Sequence, residues 1–519
     1  MTRPTRRQIL RVWKDSFMSN PYNSEFGAAD ETSEHSLSRR DVLKQGAAAV
    51  VGGATLLGAG PALAQAPAAQ APAASTAGRS MAGTRFRALI RRPGQHTSVE
   101  SVILRAIQPH QVVIRTQAAQ ACYTIVNALV IPAPPAGRGA APAAAPAGAA
   151  AGGRGAAPAA AGAAPAGRGG APAAPAAPIQ GHGGVGIVEE VGSAVRRVQV
   201  GDRVIVPVTA QCGQCWLCLH GRADACASGA GRPNLPVADT TDGLPVTGTL
   251  GGFSELMIAW EEQTVPINTS VSAAELSLLS CVMTVGLGLA MRRMPIEAGT
   301  DVLVLGAGPL GLSAVQGARI QGAAQIIVVE PVRYRRDLAM KLGATTVIDP
   351  NVDRGVNNAD LIAKIRALCK NGMERSYAGG RGPNVAAYGP MYTLEAVGGD
   401  RFPPKVEAGP DPTGAETLQL AWTICPSGGV IRTCGVGHPP GTTVTFPAGQ
   451  WSNAMKTHIP GNFAGVNTMR DIPEFVRLIE SKRFDAASLV GQTVPLDRAR
   501  DALQLAADRT AISGVVTFT

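Results

Sequence analysis

The chain is poor in charged side chains, and their distribution excludes some classes of protein. Only 16% of its 519 residues are charged, against 45% hydrophobic residues, an ordinary globular balance with few charges. The formal net charge of +10 is dispersed and forms no basic stripe with interleaved aromatic residues, so nucleic-acid binding is disfavoured. Apart from an N-terminal stretch, no segment is apolar and long enough to span a membrane. The length allows two to three domains.

The nine cysteines do not suit a simple disulfide framework, because their number is odd. Four of them fall within fifteen residues in the run Cys212-Gly-Gln-Cys215-Trp-Leu-Cys218-(seven residues)-Cys226. Thiolates at these spacings can fold into one tetrahedral site, which favours zinc or an iron–sulfur cluster. A pair of disulfides is the alternative. We predict a closed, structural zinc site.

The N-terminus reads as an export signal. Residues 38–44 (SRRDVLK) match the twin-arginine pattern, a short apolar stretch follows from Gln45 to Pro61, and Ala62-Leu63-Ala64 is a small-residue cleavage site. A transmembrane anchor is the alternative, but the apolar run is short and rich in glycine. We therefore expect residues 1–64 to be a signal peptide for the twin-arginine export machinery, and the mature protein to be periplasmic or extracellular.

Two segments have compositions that cannot form a packed core. We predict a linker at 65–83, most of it Ala, Pro and Gln, and a disordered insertion at 133–178, which contains only Ala, Gly and Pro apart from three arginines. Such segments have little side-chain surface to bury against the entropy lost on ordering. The insertion is interpreted as a tolerated loop expansion or as a mobile flap near the substrate cleft.

The second half of the chain alternates strand and helix. A buried strand at 301–305 (DVLVL) precedes a helix at 309–322, and a second strand at 325–329 ends at Glu330. Further strand-like runs occur at 345–348 and 429–436, and a helical pattern covers 273–293. This alternation predicts a doubly wound parallel sheet.

A glycine motif at the start of this region predicts a dinucleotide site. The run Gly306-Ala-Gly308-Pro-Leu-Gly311 follows a strand and opens a helix, so backbone amides and the helix N-terminus would face a pyrophosphate. Glu330 lies nineteen residues further on, where a carboxylate would bind the adenosine ribose and repel a 2′-phosphate, which favours NAD. Arg333, Arg335 and Arg336 leave NADP open, unless they form a solvated helix face. The predicted coenzyme residues are Gly306, Gly308, Pro309, Leu310, Gly311, Glu330 and Arg335.

The cysteine run resembles the structural-zinc lobe of zinc-dependent medium-chain alcohol dehydrogenases, over roughly residues 84–132 and 179–519. The resemblance implies an α/β fold class, with a GroES-like, mainly-β catalytic domain and a Rossmann nucleotide-binding domain. It places the catalytic domain at 84–281, the Rossmann domain at 282–446 and a return to the catalytic domain at 447–519. An extra stretch at 399–413 (GDRFPPKVEAGPDPT) departs from the family pattern.

The same resemblance implies a second, catalytic zinc with an open coordination position. Its ligands would be Cys122 in QACYT, His182 in QGHGG and Cys281 in LLSCV, with the Thr124 hydroxyl taking the proton from the alcohol. The family usually carries carboxylates where this chain has Ile125 and Gly183, and often a histidine at Asn127. Those partners orient the metal shell, so zinc binding, rate or reaction type could differ.

The resulting expectation is an enzyme that interconverts an alcohol and an aldehyde or ketone with NAD and zinc, assembled as a homo-oligomer. Because free NAD should be scarce outside the cytoplasm, one alternative is a dismutase or coupled oxidoreductase that keeps trapped NAD. Ile125 and Gly183 motivate another alternative, a non-catalytic binding protein.

Overall fold

A computed structural model describes residues 80–130, 176–226, 232, 234–248, 250–369, 389–461 and 463–518. The predicted signal peptide, nearly all of the linker, residues 131–132 and residues 133–175 of the predicted insertion lie outside this set. No single helix among the described residues is long and apolar enough to cross a membrane, although one bent pair, Ala273–Ser280 with Val282–Met291, passes by length and composition.

Eighteen strands can be assigned within the described residues. They are β1 (Arg85–Arg91), β2 (Thr97–Leu104), β3 (Gln111–Ala121), β4 (Ala177–Pro178), β5 (Gly184–Val191), β6 (Arg203–Val206), β7 (Pro236–Thr240), β8 (Pro245–Thr247), β9 (Leu256–Trp260), β10 (Val265–Ile267), β11 (Asp301–Leu305), β12 (Gln325–Val329), β13 (Thr346–Ile348), β14 (Tyr392–Glu395), β15 (Val430–Thr433), β16 (Thr457–Pro460), β17 (Gln492–Pro495) and β18 (Gly514–Thr517).

The helices lie mostly in the C-terminal part. They are α1 (Trp216–Leu219), α2 (Ala273–Ser277), α3 (Val282–Met291), α4 (Pro309–Ile320), α5 (Arg333–Leu342), α6 (Pro350–Asp353), α7 (Ala359–Leu368), α8 (Ala415–Ile424), α9 (Ala448–Asn453), α10 (Thr468–Glu480) and α11 (Ala499–Asp508). A 3-10 turn at Tyr123–Leu129 follows β3 directly.

Two sheets form a β-rich half. One has the order β1-β2-β7-β8-β4, and the other has the order β10-β6-β5-β3-β18-β17, with β9 also paired to β3. The long strand β3 reaches three partners because its first residues pair with β9 and its last with β18. Its register shifts twice against β5, an irregularity of the kind that bends and twists a strand.

A six-stranded parallel sheet forms the other half, in the order β13-β12-β11-β14-β15-β16. All five residues of β11 are buried, as expected for a parallel strand covered on both faces. Helix α4 begins with Pro309 at its first position, where the missing N–H costs nothing. The predicted α/β class and the parallel sheet are confirmed.

The structure places two domain boundaries differently from the prediction. Ala177 and Pro178 were assigned to the insertion, but they pair with β8 and so belong to the first sheet. The nucleotide-binding region was predicted to end at 446, but β16 (457–460) pairs with β15 inside the parallel sheet. The chain rejoins the β-rich half only at β17, because β17 pairs with β18 and β18 pairs with β3.

The predicted helix at 273–293 is broken at Cys281. That residue has φ −148° and ψ −83°, outside the helical region, and the pieces on either side are bent by 63°. Every residue of α3 is buried, so this helix is a core element between the two halves. The break gives Cys281 a position at the N-terminus of α3.

A buried arginine holds the other end of α3. Arg432 on β15 is fully buried and donates hydrogen bonds to the carbonyl oxygens of Gly288 (3.0 Å), Leu289 (2.8 Å) and Ala464 (2.6 Å), and to that of Arg292. Burial lowers the pKa of Arg432 to about 10, so the guanidinium remains charged at neutral pH. A cation at this end satisfies the last carbonyls of the helix and complements its dipole.

We expect Arg432→Met to lower the free energy of unfolding by about 3–5 kcal/mol, because it leaves a set of buried carbonyl oxygens without a donor. Urea unfolding followed by tryptophan fluorescence measures the loss. Arg498→Met is the matched control, since the Arg498 side chain is 65% exposed and its pair with Asp501 contributes under about 1 kcal/mol. Equal losses in the two variants would contradict a special role for Arg432.

Candidate active site and metal centres

Cys122, His182 and Cys281 come together from three distant parts of the chain. Cys122 follows the last residue of β3, His182 lies in the loop before β5, and Cys281 precedes α3. Their ligand atoms all lie within 4.8 Å of one another. The structure therefore assembles the predicted ligand set, although 60 and 99 residues separate neighbouring members.

The surroundings of Cys122 favour the deprotonated, thiolate form of its side chain. Hydrogen bonding with Cys281 lowers the pKa of the Cys122 thiol well below its usual value, and His182 acts in the same direction. Burial opposes a charged imidazole, but the adjacent Cys122 raises the pKa of His182 overall. The pKa of Cys281 is raised by Cys122 and by burial. Each shift reflects competition between neighbouring ligands for charge in a buried space.

The donor set fits a divalent metal such as zinc. Two sulfurs and one imidazole are the ligands that zinc takes in open, catalytic sites, with a fourth position left for substrate. The buried Nδ1 atom of His182 has no hydrogen-bond partner among the described residues. Metal-bound histidines usually hold their second nitrogen through a carboxylate or carbonyl, so this site has a reduced supporting shell.

Gly183 explains why no carboxylate follows His182. Its φ is +79°, and an added Cβ would lie 2.1 Å from the carbonyl oxygen of Val206. A glutamate therefore cannot occupy this position without moving β6. At the other departure, Ile125 packs against the hydrophobic core. At both positions, the packing of this chain determines which residue is present.

The Thr124 hydroxyl lies beside two members of the cluster. Its Oγ1 donates to the Cys122 sulfur at 3.2 Å and lies 3.1 Å from Nε2 of His182. The hydroxyl is therefore beside two of the three proposed ligands and can hold a proton there. At the third departure from the family pattern, Asn127 is exposed, and its carbonyl oxygen accepts from Arg91 at 3.1 Å.

The four cysteines of the second cluster also converge. The ligand atoms of Cys212, Cys215, Cys218 and Cys226 lie within 4.8 Å of one another, and no disulfide joins any of the nine cysteines. Sulfur-to-sulfur distances of 3.7 and 3.9 Å from Cys226 exceed a disulfide bond by far. This arrangement fits a closed tetrathiolate metal site, and it disfavours the disulfide alternative.

An ion pair ties this lobe to the core. Asp224, between Cys218 and Cys226, accepts both hydrogen bonds from the Arg293 guanidinium at 2.9 and 3.0 Å. Arg293 follows α3 by two residues and has a left-handed φ of 57°. The lobe is thereby attached to the end of the helix that carries Cys281 at its start.

The glycine motif forms the floor of a cleft. Gly306 has φ +90°, and an added Cβ on Gly311 would lie 1.9 Å from the Gly306 carbonyl oxygen, so the turn requires glycine at both positions. Gly308, Pro309 and Leu310 also line the cleft. This geometry matches a turn that presents backbone amides and a helix N-terminus to a pyrophosphate.

Glu330 and Arg335 both line the same cleft. Glu330 is 3% exposed, and its carboxylate accepts from the backbone amides of Ala307 (2.6 Å) and Val332 (3.0 Å). Arg335 is also buried and donates from Nε to the Tyr334 hydroxyl at 3.1 Å. The motif turn is thus held directly by the carboxylate that follows the next strand.

The other two arginines after β12 are not cleft residues. Arg336 donates to the carbonyl oxygens of Glu330 (2.8 Å) and Pro331 (2.5 Å) and pairs with Asp349 at 3.0 Å. Arg333 is exposed. Of the three arginines considered in the sequence, Arg335 alone faces the cleft.

Several cleft residues were not predicted. Tyr123, Asp400 and Arg509 line the cleft together with Thr124. Glu395, at the end of β14, does not line the cleft but is fully buried behind it, where it accepts from the amides of Val397, Gly398 and Gly435 and burial raises its pKa. The sequence offered a partial signal for Tyr123, which lies between Cys122 and Thr124, and for the extra stretch that contains Asp400.

Comparison with known proteins agrees with this geometry. The profile of the "Alcohol dehydrogenase GroES-like domain" matches residues 160–269, and that of the "Zinc-binding dehydrogenase" matches residues 309–481. Together the two matches cover more than half of the chain. Alcohol dehydrogenase B of Mycobacterium tuberculosis is 29% identical over 345 residues, which are 64% of this chain and 82% of that protein.

Solved structures share the fold at lower identity. Benzyl alcohol dehydrogenase from Acinetobacter calcoaceticus superimposes with a TM-score of 0.62 at 22% identity, covering 84% of this chain and 100% of its own. A zinc-binding dehydrogenase from Sinorhizobium meliloti, bound to NADP, gives a TM-score of 0.55 at 20% identity, with coverage of 84% and 100%. The GroES-like and Rossmann architecture is therefore confirmed.

We expect metal analysis of the purified protein to find two zinc ions per chain, one for each cysteine cluster. Cys122→Ser and Cys226→Ser should each remove one of them, because a hydroxyl is a poor substitute for a thiolate ligand. Plasma mass spectrometry measures the content. Cys369→Ala, a buried cysteine of neither cluster, is the control and should retain both ions. Full zinc in Cys122→Ser would show that this cluster is not a metal site.

Proposed function

The chain belongs to the zinc-dependent medium-chain alcohol dehydrogenase family, and from that premise we propose that it interconverts an alcohol and an aldehyde or ketone with NAD. One observation carries the proposal. Thr124, which contacts Cys122 and His182, lines the same cleft as Gly306 and Gly308. A ligand at the three-residue cluster and a dinucleotide on the glycine turn would therefore share one enclosed space.

Cys122, His182 and Cys281 would hold zinc, which when bound supplies Lewis acidity that lowers the pKa of an alcohol. The nicotinamide carries the hydride. The protein's own residues position the reacting groups and hold the proton. Thr124 holds the alcohol proton at Oγ1, β3 and α3 fix the two sulfurs, and burial of the cluster limits access of water. Proton transfer by a positioned group contributes about 10²- to 10⁴-fold to such reactions.

We expect Thr124→Val to lower kcat/KM for a reactive alcohol by about 10²- to 10⁴-fold while zinc content stays unchanged, because only the proton-holding hydroxyl is lost. Steady-state kinetics over a panel of alcohols measures the change. Thr124→Ser is the matched control, since it keeps a hydroxyl, and it should retain most of the activity. A Thr124→Val enzyme as active as the wild type would contradict the assignment.

The preference for NAD over NADP rests on Glu330. Its buried carboxylate lies at the end of β12, where a 2′-phosphate would meet a negative charge. Arg335 is the only one of the three nearby arginines in the cleft, and it offers a 2′-phosphate a single cation. Arg336 already donates to two carbonyl oxygens and pairs with Asp349. The balance favours the unphosphorylated ribose.

We therefore expect Glu330→Gln to reduce the ratio of kcat/KM with NAD to kcat/KM with NADP by about tenfold, or about 1.4 kcal/mol, because the repulsive charge is removed. Initial rates with each coenzyme give the ratio. Asp337→Asn, on the exposed side of α5, controls for a general change of charge and should leave the ratio unaltered. If wild-type protein prefers NADP, the NAD proposal fails.

We also propose export by the twin-arginine route, on the strength of residues 38–64 alone, and assembly as a homo-oligomer by analogy with the family. Export would explain a need to keep the coenzyme bound, since the compartment reached would hold little free NAD. Under that condition a dismutase or a coupled oxidoreductase, which oxidises one substrate and reduces another on the same NAD, is the second candidate. It would show turnover with no added coenzyme.

A further inference from the structure

Residues 399–413, here named the crossing segment, run across the cleft between the two halves. The segment leaves the parallel-sheet half after β14 and returns to it at α8. It closes on itself at the base, where the Asp400 amide donates to the Pro412 carbonyl oxygen at 2.6 Å. Four of its fifteen residues are proline, which restricts backbone φ and reduces the entropy lost when the segment is ordered.

The outgoing part of the crossing segment is fastened to the β-rich half. The backbone amides of Arg401 and Phe402 both donate to the Tyr123 hydroxyl, at 2.9 and 3.3 Å. The Arg401 guanidinium donates to the Thr124 carbonyl oxygen at 2.8 Å. These contacts lie on the 3-10 turn that follows Cys122, so the segment is bound next to the candidate metal centre.

Two ion pairs add to this attachment at the end of α11. The Lys405 ammonium pairs with Asp508 at 2.8 Å, and the Lys405 amide donates to the Asp508 carbonyl oxygen at 3.0 Å. Asp400 pairs with Arg509, whose guanidinium also lies 5.3 Å from the centre of the Tyr123 ring. Two pairs of opposite charges thus join the crossing segment to the β-rich half.

The returning part is fastened to the parallel-sheet half. Glu407 accepts from the Arg333 amide at 3.4 Å, and the Ala408 carbonyl oxygen accepts from the Asn351 side chain at 3.0 Å. Residues 409–411 and Asp400 then line the cleft that contains Gly306 and Gly308. The segment therefore forms an outer wall of the proposed dinucleotide site and is attached on both sides of it.

We propose that the crossing segment is a strap that must open before the coenzyme enters or leaves, so that its opening limits the rate of coenzyme exchange. The inference rests on the proposed function, because it requires a dinucleotide in the cleft. Two of the fastening side chains are separate from the wall, because Lys405 and Glu407 do not line the cleft. A change at Lys405 can thus affect exchange only through the strap.

The opening should depend on ionic strength. The Lys405 side chain is 67% exposed, so salt screens its attraction to Asp508, with a Debye length of about 10 Å at 0.1 M and 3 Å at 1 M. Raising salt should therefore speed coenzyme release from the wild-type protein, and should speed it less in Lys405→Ala, where this pair is already absent. If the crossing segment did not move, salt would not speed release through this pair, and the wild type and Lys405→Ala would respond to salt alike.

The test is coenzyme exchange in the full-length holoenzyme. Stopped-flow fluorescence follows bound NADH as excess NAD displaces it, and a binding series gives the association rate. We expect Lys405→Ala to raise the release rate about threefold, and Lys405→Ala/Glu407→Ala about tenfold. These factors correspond to the small energy of exposed pairs, acting on a release step that is limited by opening of a lid. Association should accelerate by similar factors, so that Kd changes less than about twofold, because a strap slows both directions.

Lys364→Ala is the matched control. Lys364 pairs with Asp353 at 2.8 Å, the same distance as the Lys405 pair, but both partners lie within the parallel-sheet half. Its release rate should equal that of the wild type. An unchanged release rate in the double variant, or faster release with unchanged association, would overturn the strap. Wild-type protein that binds neither NAD nor NADH would overturn the proposed function itself.

Discussion

The buried helix α3 is the element on which the arrangement of the site depends. Cys281 lies at its N-terminus, Arg432 holds the carbonyl oxygens at its C-terminus, and Arg293 just beyond attaches the four-cysteine lobe through Asp224. Because interiors are close-packed and transmit strain, a shift of this helix would move a member of one cluster and the anchor of the other together. The two cysteine clusters are thus mechanically joined although they share no residue.

Around this helix the candidate metal centre is held by packing more than by polar partners. Ile125 contributes to the core, and Gly183 approaches the backbone of Val206 so closely that no side chain fits. His182 therefore keeps its orientation from the tight turn before β5, with no protein acceptor for Nδ1 among the described residues. A site of this kind places its ligands accurately but leaves the basicity of the histidine untuned by a carboxylate.

Sequence reasoning succeeded where the determinants are local or chemically specific. The run DVLVL became β11, the glycines of the motif occupy positions that exclude a Cβ, and all seven proposed metal ligands converged into two groups. It failed where long-range contacts decide. The end of the parallel-sheet half was placed at 446 because nothing near that position shows that β16 pairs with β15. Arg509 meets Asp400 across 109 residues, a contact that no spacing rule predicts.

The crossing segment illustrates how weak contacts can control access without adding much stability. An exposed ion pair contributes about 0.2–1 kcal/mol, so breaking one such contact costs little stability, while a handful of them together amounts to a few kcal/mol. The same few kcal/mol, if lost together in the opening step, correspond to a hundredfold or greater change in rate, since each 1.4 kcal/mol is a factor of ten. Distributed fastening of this sort suits a protein whose core is packed around α3 and whose cleft must open, because each contact can be screened or broken separately while the two cysteine clusters stay in place.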